Sequence, residues 1–308
     1  MGKKSYEVAI VGGGPAGLSA ALTLGRARRT ALVIDRESPR NKTVHRTHGY
    51  LTQDGLSPDS FRELAHKEIS RYPTVDYLRD EVIDVHKQDG AFALVTHTGE
   101  TYASKKLLFA AGLIDILPDI DGLNDIYGKS AFICPYCDGW EFRDRPIAII
   151  GKKLSDIHFA KALHGWSSDV ALFTNGPHQL ELSQIQAFNK RNIPIYDKRI
   201  QRLEHQAGNL NAIILEDGKA IRRQAVFFNP ETRQSSLIPK QLGVSVNKFG
   251  IYETKENGRT DVEGLYIAGD SRNHLHQIIH AASDGAKAAV SINMELLKED
   301  WQRYSEKE

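Results

Sequence analysis

The sequence predicts an α/β protein built from two Rossmann-like three-layer nucleotide-binding domains. Two observations carry this prediction: a buried-strand pattern followed at once by glycine occurs near the start of the chain, and the same opening recurs near its middle. A length of 308 residues is enough for two domains of ordinary size. Hydrophobic residues make up 41% of the chain and charged residues 26%, the profile of a globular protein with buried cores.

The first glycine motif, Gly12 to Gly17, lies where a dinucleotide-binding loop is expected. A short apolar strand pattern at residues 7–11 precedes it, residues 18–24 favour a helix, and residues 31–35 favour a second parallel strand. Asp35 closes that strand, 23 residues after the first glycine, where an acidic side chain can accept from a ribose hydroxyl. Strand, loop, helix and acid together predict a dinucleotide site, whereas the glycines alone would indicate only a turn.

Each glycine of this loop has its own task. The first permits a tight turn, the second lets the backbone approach a pyrophosphate, and the third lets helix and strand pack closely. The N-terminus of the helix that follows holds the phosphates. The residues assigned to this contact are Gly12, Gly14, Pro15, Ala16 and Gly17.

Loops, strands and helices continue along the chain. Residues 36–55 are polar and are interpreted as a surface loop; the spacing of His45 and His48 is poor evidence for a metal, and no metal site is predicted. Further predicted elements are a helix from Ser57 to Tyr72, strands at 81–86, 92–96, 106–112 and 260–270, a turn at Asp89 and Gly90, and an alanine-rich helix from about His276.

The chain is predicted to pass twice between its two domains. A proline, an aspartate and a glycine within residues 118–122 mark the first crossing, and Gly243 marks the return. Residues 1–117 and 244–308 are therefore assigned to the first domain, and residues 118–243 to a middle domain.

Cys134 and Cys137 are the only cysteines in the chain. A structural zinc site requires four ligands, and the sequence has neither a second CxxC pair nor an HxxxH pair to complete one. The remaining interpretation is a redox dithiol, in which one thiolate attacks and its neighbour resolves the mixed disulfide; a structural or accidental pair is the alternative. Without a second thiol pair for structural disulfides, the chain is predicted to be cytoplasmic.

The charge balance argues against other classes of function. Lys+Arg 40 against Asp+Glu 39 leaves a net charge of +1, which favours neither nucleic acid nor an anionic membrane as a partner. The apolar run that follows the basic start covers only residues 8–11, which is too short for a signal peptide or a membrane span.

The second glycine motif begins with a buried-strand pattern and Gly151, but its continuation is altered. Lys153 and Asp156 occupy two of the three positions that should be small. A long side chain would cover backbone that a pyrophosphate needs, and a carboxylate adds negative charge near the phosphates. No arginine cluster for a 2′-phosphate stands near Asn175 and Gly176. The middle domain is therefore predicted to keep the nucleotide-binding fold as architecture but to be damaged as a nucleotide site.

Together these motifs resemble the low-molecular-weight thioredoxin reductase family of flavoproteins over nearly the whole chain. The cysteine pair in the middle domain is the specific part, because glutathione-reductase-like relatives carry theirs soon after the first glycine motif. The resemblance implies a thioredoxin reductase-like fold, FAD along the first domain and a homodimer. It is carried by Gly12 to Gly17, Ala110 to Gly112, Cys134 with Cys137, Asp138 and Gly139, and Gly264 to Asp270.

The resemblance also implies roles for individual residues. Cys137 would face the flavin, Cys134 would exchange with the substrate, and Asp138 would transfer a proton. Asp270 would lie near the ribityl–phosphate segment, and the backbone at 276–277 would face the pyrimidine end of the flavin. The implied cofactor-binding set is Gly12, Gly14, Pro15, Ala16, Gly17, Asp35, Arg36, His48, Val82, Ala111, Gly112, Gly269, Asp270, His276 and Gln277.

Three features depart from ordinary thioredoxin reductases: the altered second glycine motif, the missing arginines and the loop from His48 to Thr52. All three resemble a branch of FAD-dependent dithiol oxidases that close disulfides in natural products of the gliotoxin and holomycin kind. On this resemblance a dithiol reduces the disulfide, Cys137 passes two electrons to FAD, and oxygen or another acceptor reoxidises the flavin. NAD(P)H is then not the natural partner, and His48 is expected within reach of the flavin.

Two alternatives remain open. In the first, electrons run from NAD(P)H through FAD to a thioredoxin-like disulfide, with Lys153 pairing with a phosphate. In the second, the protein is a flavin-binding redox sensor without steady turnover; the retention of both cysteines together with Asp138 argues against it. The expected partner is a small-molecule dithiol or a thioredoxin-like protein.

Overall fold

The computed structural model describes residues 4–88, 90–152, 154–178 and 180–305. Its strands are β1 (Lys4–Val11), β2 (Ala31–Asp35), β3 (Val75–Arg79), β4 (Val82–Gln88), β5 (Ala91–Thr96), β6 (Thr101–Phe109), β7 (Leu113–Ile116), β8 (Ala131–Phe132), β9 (Ile147–Ile150), β10 (Val170–Phe173), β11 (Ile195–Tyr196), β12 (Ile200–Gln206), β13 (Asn209–Leu215), β14 (Ala220–Arg222), β15 (Ala225–Phe228), β16 (Glu231–Gln234) and β17 (Leu265–Ile267). Its α-helices are α1 (Pro15–Arg26), α2 (Pro58–Ile69), α3 (Leu123–Ile126), α4 (Pro135–Asp138), α5 (Leu154–Leu163), α6 (Leu182–Asn189), α7 (Ile238–Gln241) and α8 (Ile278–Ser305).

The chain divides into two compact units. The first comprises Met1–Lys42, Pro58–Ile114 and Thr232–Glu308, and the second comprises Thr43–Ser57 and Asp115–Glu231. The predicted crossings lie after residues 117 and 243 instead. The return comes earlier because Ile238 and Val244 are already buried in a core of the first unit. The segment Thr43–Ser57, predicted as a surface loop of the first domain, joins the second unit.

A seven-stranded sheet forms the centre of the first unit. The strands β3, β2, β1 and β6 are parallel neighbours in that order, and β17 pairs in parallel with the far edge of β6. The strands β5 and β4 continue the sheet in antiparallel fashion. The carboxyl ends of β1, β2, β6 and β17 therefore meet at one edge, which is where ligands bind in sheets of this kind.

Both faces of this sheet are covered. Along β1, Val8 and Ile10 pack into one buried cluster with residues of α1 and α8. The alternate residues Ala9 and Val11 pack into a second cluster that includes Tyr252. This alternation is what a parallel strand buried on both faces produces.

The second unit has a five-stranded parallel sheet in the order β11-β10-β9-β15-β8. Ala148 and Ile150 of β9 face one buried cluster, and Ile147 and Ile149 face another. A separate antiparallel sheet joins β12, β13 and β14. The predicted α/β class with two Rossmann-like three-layer domains is confirmed.

Element bounds differ from the predicted ones mainly near loops. The strand predicted over 260–270 is limited to β17, because the Thr260 backbone N–H donates to the Leu265 carbonyl and closes a turn before it. The predicted turn at Asp89 lies outside the described residues. None of the described helices is both long enough and apolar enough to span a membrane.

Candidate functional site

Cys134 and Cys137 form a disulfide with a Cα–Cα distance of 5.3 Å. Cys134 is the N-cap residue of α4, and its carbonyl oxygen accepts hydrogen bonds from the backbone N–H groups of Cys137 at 3.2 Å and Asp138 at 3.1 Å. Pro135 occupies the first helical position, where its fixed φ favours the start of a helix. The predicted pairing of the two thiols is confirmed, on the first turn of a helix as expected.

Asp138 follows the disulfide directly in the sequence. Burial raises its pKa, and the negative charge of Glu141 adds to the effect, so that the pKa of Asp138 reaches about 7. A carboxyl group with this pKa exists in both protonation states at neutral pH and can therefore donate and accept a proton.

Glu141 and His48 extend this group of titratable side chains. Glu141 Oε1 lies 3.5 Å from His48 Nε2, and the buried Glu141 Oε2 has no hydrogen-bond partner among the described residues. His48 Nδ1 lies 3.5 Å from Asp54 Oδ1. The hydrogen bond from the Gly49 backbone N–H, at 2.8 Å, lowers the pKa of Asp54.

We call His48, Asp54, Asp138 and Glu141 the His48 cluster. All four belong to the second unit. The side chain of His48 is only 19% exposed, so the histidine is held between two carboxylates rather than carried on a free loop. The predicted contact of His48 with the flavin stays a prediction.

The first glycine loop joins β1 to α1 in a conformation that requires glycine. Gly12 has a φ of +107°, and a Cβ there would lie 2.5 Å from the carbonyl oxygen of Ala110. A Cβ at Gly17 would collide with the carbonyl oxygen of Gly12, so the helix packs this closely only around glycine. At Gly14, by contrast, a Cβ would meet no atom within 4 Å.

Asp35 ends β2 beside this loop. Its Oδ2 accepts a hydrogen bond from the Tyr77 hydroxyl at 3.0 Å and would lie 2.8 Å from a Cβ added at Gly13. Burial, followed by the charge of Asp35, raises the pKa of Tyr77, so the phenol remains a neutral donor. A fixed carboxylate thus stands next to the glycine loop, as the predicted ribose contact requires.

The turn after β17 carries Gly269 and Asp270. Asp284 of α8 fixes this turn, since its Oδ2 accepts from the Gly269 backbone N–H and from Asn273 Nδ2, each at 2.8 Å. Asp270 Oδ2 lies 2.9 Å from Arg40 Nη1. The fold therefore brings a cation, absent from the predicted set, to the residue predicted to lie near the ribityl–phosphate segment.

The other predicted cofactor residues also lie in the first unit, apart from His48. Arg36 lies 3.2 Å from Glu81 and donates to Ser235 Oγ at 2.9 Å. His276 Nε2 lies 3.0 Å from the carbonyl oxygen of Asn273, just before α8. Val82 opens β4, Ala111 and Gly112 follow β6, and Gln277 precedes α8.

The second glycine loop carries a carboxylate where the first has none. A Cβ added to Gly151 would lie 2.6 Å from the Cβ of Asp156, whose carboxylate lies closer still. Asp156 is buried and accepts from Asn229 Nδ2 at 3.5 Å. Five residues after the first glycine, the first loop has Gly17 and the second has Asp156. Lys153 lies outside the residues that the structure describes.

The prediction that no arginine lies near Asn175 and Gly176 is wrong. The fold brings Arg199 to Gly176, where its Cγ would lie 3.8 Å from an added Cβ. The Asn175 side chain accepts a hydrogen bond from the backbone N–H of Ile200 at 2.8 Å and ties the two segments together. Within the part of the chain that the structure describes, Arg199 therefore lies beside Gly176 near the end of β10.

Sequence reasoning identified Asp138 and His48 but missed several of their neighbours. Glu141 could have been found, because it follows Asp138 by three positions on one helical stretch. Asp54 lies in the same loop, six positions after His48, but carries no motif that marks it. No local signal indicates Arg199, whose position beside Gly176 depends on how separate segments fold together.

The residues of the first unit fit a dinucleotide such as FAD. An added Cβ would meet no atom within 4 Å at Gly14 or at Gly112, so the ends of β1 and β6 leave room for a ligand. Because α1 begins at Pro15, the N–H groups of Ala16 and Gly17 have no intrahelical acceptor and can bind phosphate. Asp35 would supply the acceptor for a second ribose, which FMN lacks.

Comparisons with known proteins extend over nearly the whole chain. The family profile for pyridine nucleotide-disulphide oxidoreductases matches residues 6–285. A protein of Arthroderma benhamiae described as a probable thioredoxin reductase is 31% identical, covering 96% of this chain and 81% of its own length. The solved structure of TrxB from Bacillus anthracis is 34% identical with a TM-score of 0.91, covering 95% of this chain and 99% of that chain. The structure of HlmI is 30% identical with a TM-score of 0.92, covering 98% of this chain and 96% of that chain.

Proposed function

Because the chain belongs to the pyridine nucleotide-disulphide oxidoreductase family, we propose that it is an FAD-dependent oxidase that converts a dithiol to a disulfide through Cys134 and Cys137. The likeness to thioredoxin reductases makes it an oxidoreductase of that type. The resemblance to the dithiol-oxidase branch supports the direction of electron flow, from the substrate toward the flavin.

The observation that best supports this direction of electron flow is the buried carboxylate of Asp156, which lies against Gly151. A pyrophosphate at such a loop binds to bare backbone N–H groups, and a negative charge there repels it. NAD(P)H is therefore a poor electron donor in this proposal, and the electrons come from the substrate thiols.

The electrons leave the substrate by thiol–disulfide exchange. A substrate thiolate attacks Sγ of Cys134, the Cys134–Cys137 bond breaks, and Cys137 departs as a thiolate. The second substrate thiolate attacks the mixed disulfide, so the substrate leaves oxidised by two electrons and Cys134 is released reduced. The flavin, when bound, supplies the two-electron acceptor that restores the disulfide, with dioxygen as the final acceptor and hydrogen peroxide as its product.

Two protons leave the substrate with the two electrons. Asp138, with its pKa near 7, holds one of them close to the departing Cys137 thiolate. Glu141, whose charge acts on this carboxyl, lies 3.5 Å from His48, and His48 lies 3.5 Å from Asp54, whose side chain is 69% exposed. The His48 cluster thus offers a path for protons between the disulfide and solvent.

Oxygen uptake with dithiothreitol tests the reaction as a whole. We expect the yellow, FAD-loaded protein to consume one O₂ and form one H₂O₂ for each dithiol oxidised, without added NAD(P)H. Cys134→Ser and Cys137→Ser should each abolish this turnover, because the exchange needs both sulfur atoms. A wild-type holoprotein that consumes no oxygen with dithiols would contradict the proposal.

A second candidate is an NAD(P)H-dependent thioredoxin-disulfide reductase. Arg199 beside Gly176 favours it, since a guanidinium at the end of β10 can contact a 2′-phosphate. The likeness to a probable thioredoxin reductase also supports it. Rapid reduction of the flavin by NADPH, lost in Arg199→Ala, would promote this candidate.

We also propose that the protein acts as a cytoplasmic homodimer. Over residues 290–301, the outer face of α8 exposes four large apolar residues spaced 4, 3 and 4 positions apart: Val290, Met294, Leu297 and Trp301. This spacing reads the same in both directions, so two copies of α8 related by a twofold axis would bring apolar side chains opposite one another. The cytoplasmic location rests on the use of the two cysteines as a redox pair.

A further inference from the structure

Two large aromatic side chains stand exposed beside the redox disulfide. Tyr136, between the two cysteines, is 74% exposed, and Trp140 is 64% exposed. They are four positions apart on one helical stretch, because α4 continues through Gly139 into a 3₁₀ turn at Trp140–Phe142. Residues four apart on a helix lie on the same face, so the two rings form a single surface. We call Tyr136 and Trp140 the aromatic ledge.

Neighbouring side chains position both rings. The ring of Tyr136 meets Trp166 edge to face, with centroids 5.3 Å apart. Trp166 also lies under the helix backbone, since a Cβ added at Gly139 would come within 3.2 Å of its ring. The guanidinium of Arg143 lies 4.2 Å from the ring centroid of Trp140 and donates to the Trp140 carbonyl oxygen at 2.9 Å. The ledge is thus organised while most of its area faces solvent.

We propose that the aromatic ledge selects the substrate, and that this substrate is a small dithiol bearing an aromatic or similarly flat apolar ring. The inference rests on the proposed dithiol oxidation. A substrate must bring a thiolate to Cys134, the N-cap residue of the short helix that carries Tyr136, so a ring attached to the dithiol approaches the ledge. Aromatic rings prefer edge-to-face or offset contacts with other rings, which these two side chains offer.

The size of the ledge favours a small molecule over a protein. A fully buried aromatic side chain contributes about 150–250 Å² of contact area, so two rings match a ligand of one or two rings. A stable protein interface buries about 800 Å² on each partner, which the ledge does not supply by itself.

A matched pair of substrates tests the inference. Dithiothreitol and 1,2-benzenedimethanethiol both close six-membered cyclic disulfides and are both uncharged, but only the second carries an aromatic ring. For Tyr136→Ala and for Trp140→Ala we expect KM for the aromatic dithiol to rise about tenfold more than KM for dithiothreitol. Tyr136→Phe keeps the ring and should restore the wild-type KM.

The control is Leu182→Ala, which removes a 77% exposed apolar side chain from another helix of the second unit. This variant should change neither KM nor kcat for either dithiol. Equal losses with both dithiols would show that the aromatic residues support the disulfide itself and would overturn the proposal. An unchanged KM for the aromatic dithiol in Tyr136→Ala and Trp140→Ala would also overturn the proposal. The same holds if these variants affect only the oxidation of reduced thioredoxin.

A binding measurement separates this inference from the proposed function. If the wild-type holoprotein oxidises neither dithiol, the oxidase proposal fails. The thiol-free analogue 1,2-benzenedimethanol, followed by ligand-observed NMR, then tests the ledge alone. Binding that Tyr136→Ala and Trp140→Ala weaken about tenfold would support a ring-binding surface; binding that is absent or unaffected would overturn it.

Discussion

At the scale of single residues, the environment of Asp138 connects proton transfer with stability. Its pKa in the folded protein is about 7, mainly because of burial, against an ordinary value of 3.8. Between these two pH values the unfolded chain releases the proton and the folded protein keeps it. The free energy of unfolding therefore falls as the pH rises through this window, and Asp138→Asn should remove that contribution in urea titrations at pH 5 and pH 8.

The pH dependence of turnover should follow the same carboxyl. In anaerobic single turnovers with dithiothreitol, we expect a group that titrates near pH 7 in the wild-type protein and is missing in Asp138→Asn. That variant should also be slower by about 10²-fold or more, the usual contribution of general acid–base catalysis. Glu141→Gln should shift the titration to lower pH, because it removes a like charge that raises the pKa of Asp138.

The comparison of these two variants guards against a purely structural explanation. A misfolded Asp138→Asn protein would lose rate at every pH, without losing a titrating group selectively. An Asp138→Asn profile with the wild-type midpoint would show that another group titrates, and the assigned role of Asp138 would be wrong.

The sequence predicts the residues of the site well where they are close together in the chain, and poorly where their contacts join distant segments. Cys134, Cys137 and Asp138 were found together because they follow one another on a single turn. The contact of His48 with Glu141 joins residues 93 positions apart and has no local signature. The assignment of Cys137 to the flavin side stays a prediction.

At the scale of elements, the loop from β9 to α5 has a side chain where the loop from β1 to α1 has none. We expect Asp156→Gly to strengthen NADPH binding about tenfold, which corresponds to about 1.4 kcal/mol, by removing a carboxylate from the place of the phosphates. Asp156→Asn is the matched variant, since it keeps the volume of the side chain and removes only its charge. Equal NADPH affinity in the wild-type protein and both variants would contradict this account.

The helix α8 carries the prediction about assembly. Met294→Glu places a charge within its outer apolar stripe and should convert a dimer to a monomer in sedimentation experiments, with the fold retained. Gln302→Glu, also exposed on α8 but about 100° round the helix from Trp301 and so outside the stripe, is the control and should remain dimeric. A wild-type protein that sediments as a monomer would contradict the proposed interface.

Among the elements, the glycine loops were predictable because strand, glycines and helix follow one another in sequence. The bounds of β17 were less so. The pattern of small and apolar residues continues beyond this strand, and the turn that follows it depends on tertiary hydrogen bonds such as the one from the Gly269 backbone N–H to Asp284.

At the scale of the whole molecule, two Rossmann units were predicted correctly because each begins with its own strand and glycine. The composition of the units was harder to predict. The segment Thr43–Ser57 belongs with the second unit although it follows β2 of the first, and it carries His48 to Glu141. Polar loop sequences of this kind contain no periodicity that indicates where they pack.

The direction of electron flow is the central claim, and stopped-flow reduction of the flavin under nitrogen tests it most directly. The FAD-loaded protein would be mixed separately with NADPH, NADH and dithiothreitol while the flavin absorbance is followed. We predict fast bleaching by the dithiol and slow bleaching by both nucleotides, because the Asp156 carboxylate opposes the pyrophosphate. Rapid, saturable bleaching by micromolar NADPH or NADH, with a slow response to the dithiol, would contradict the oxidase assignment.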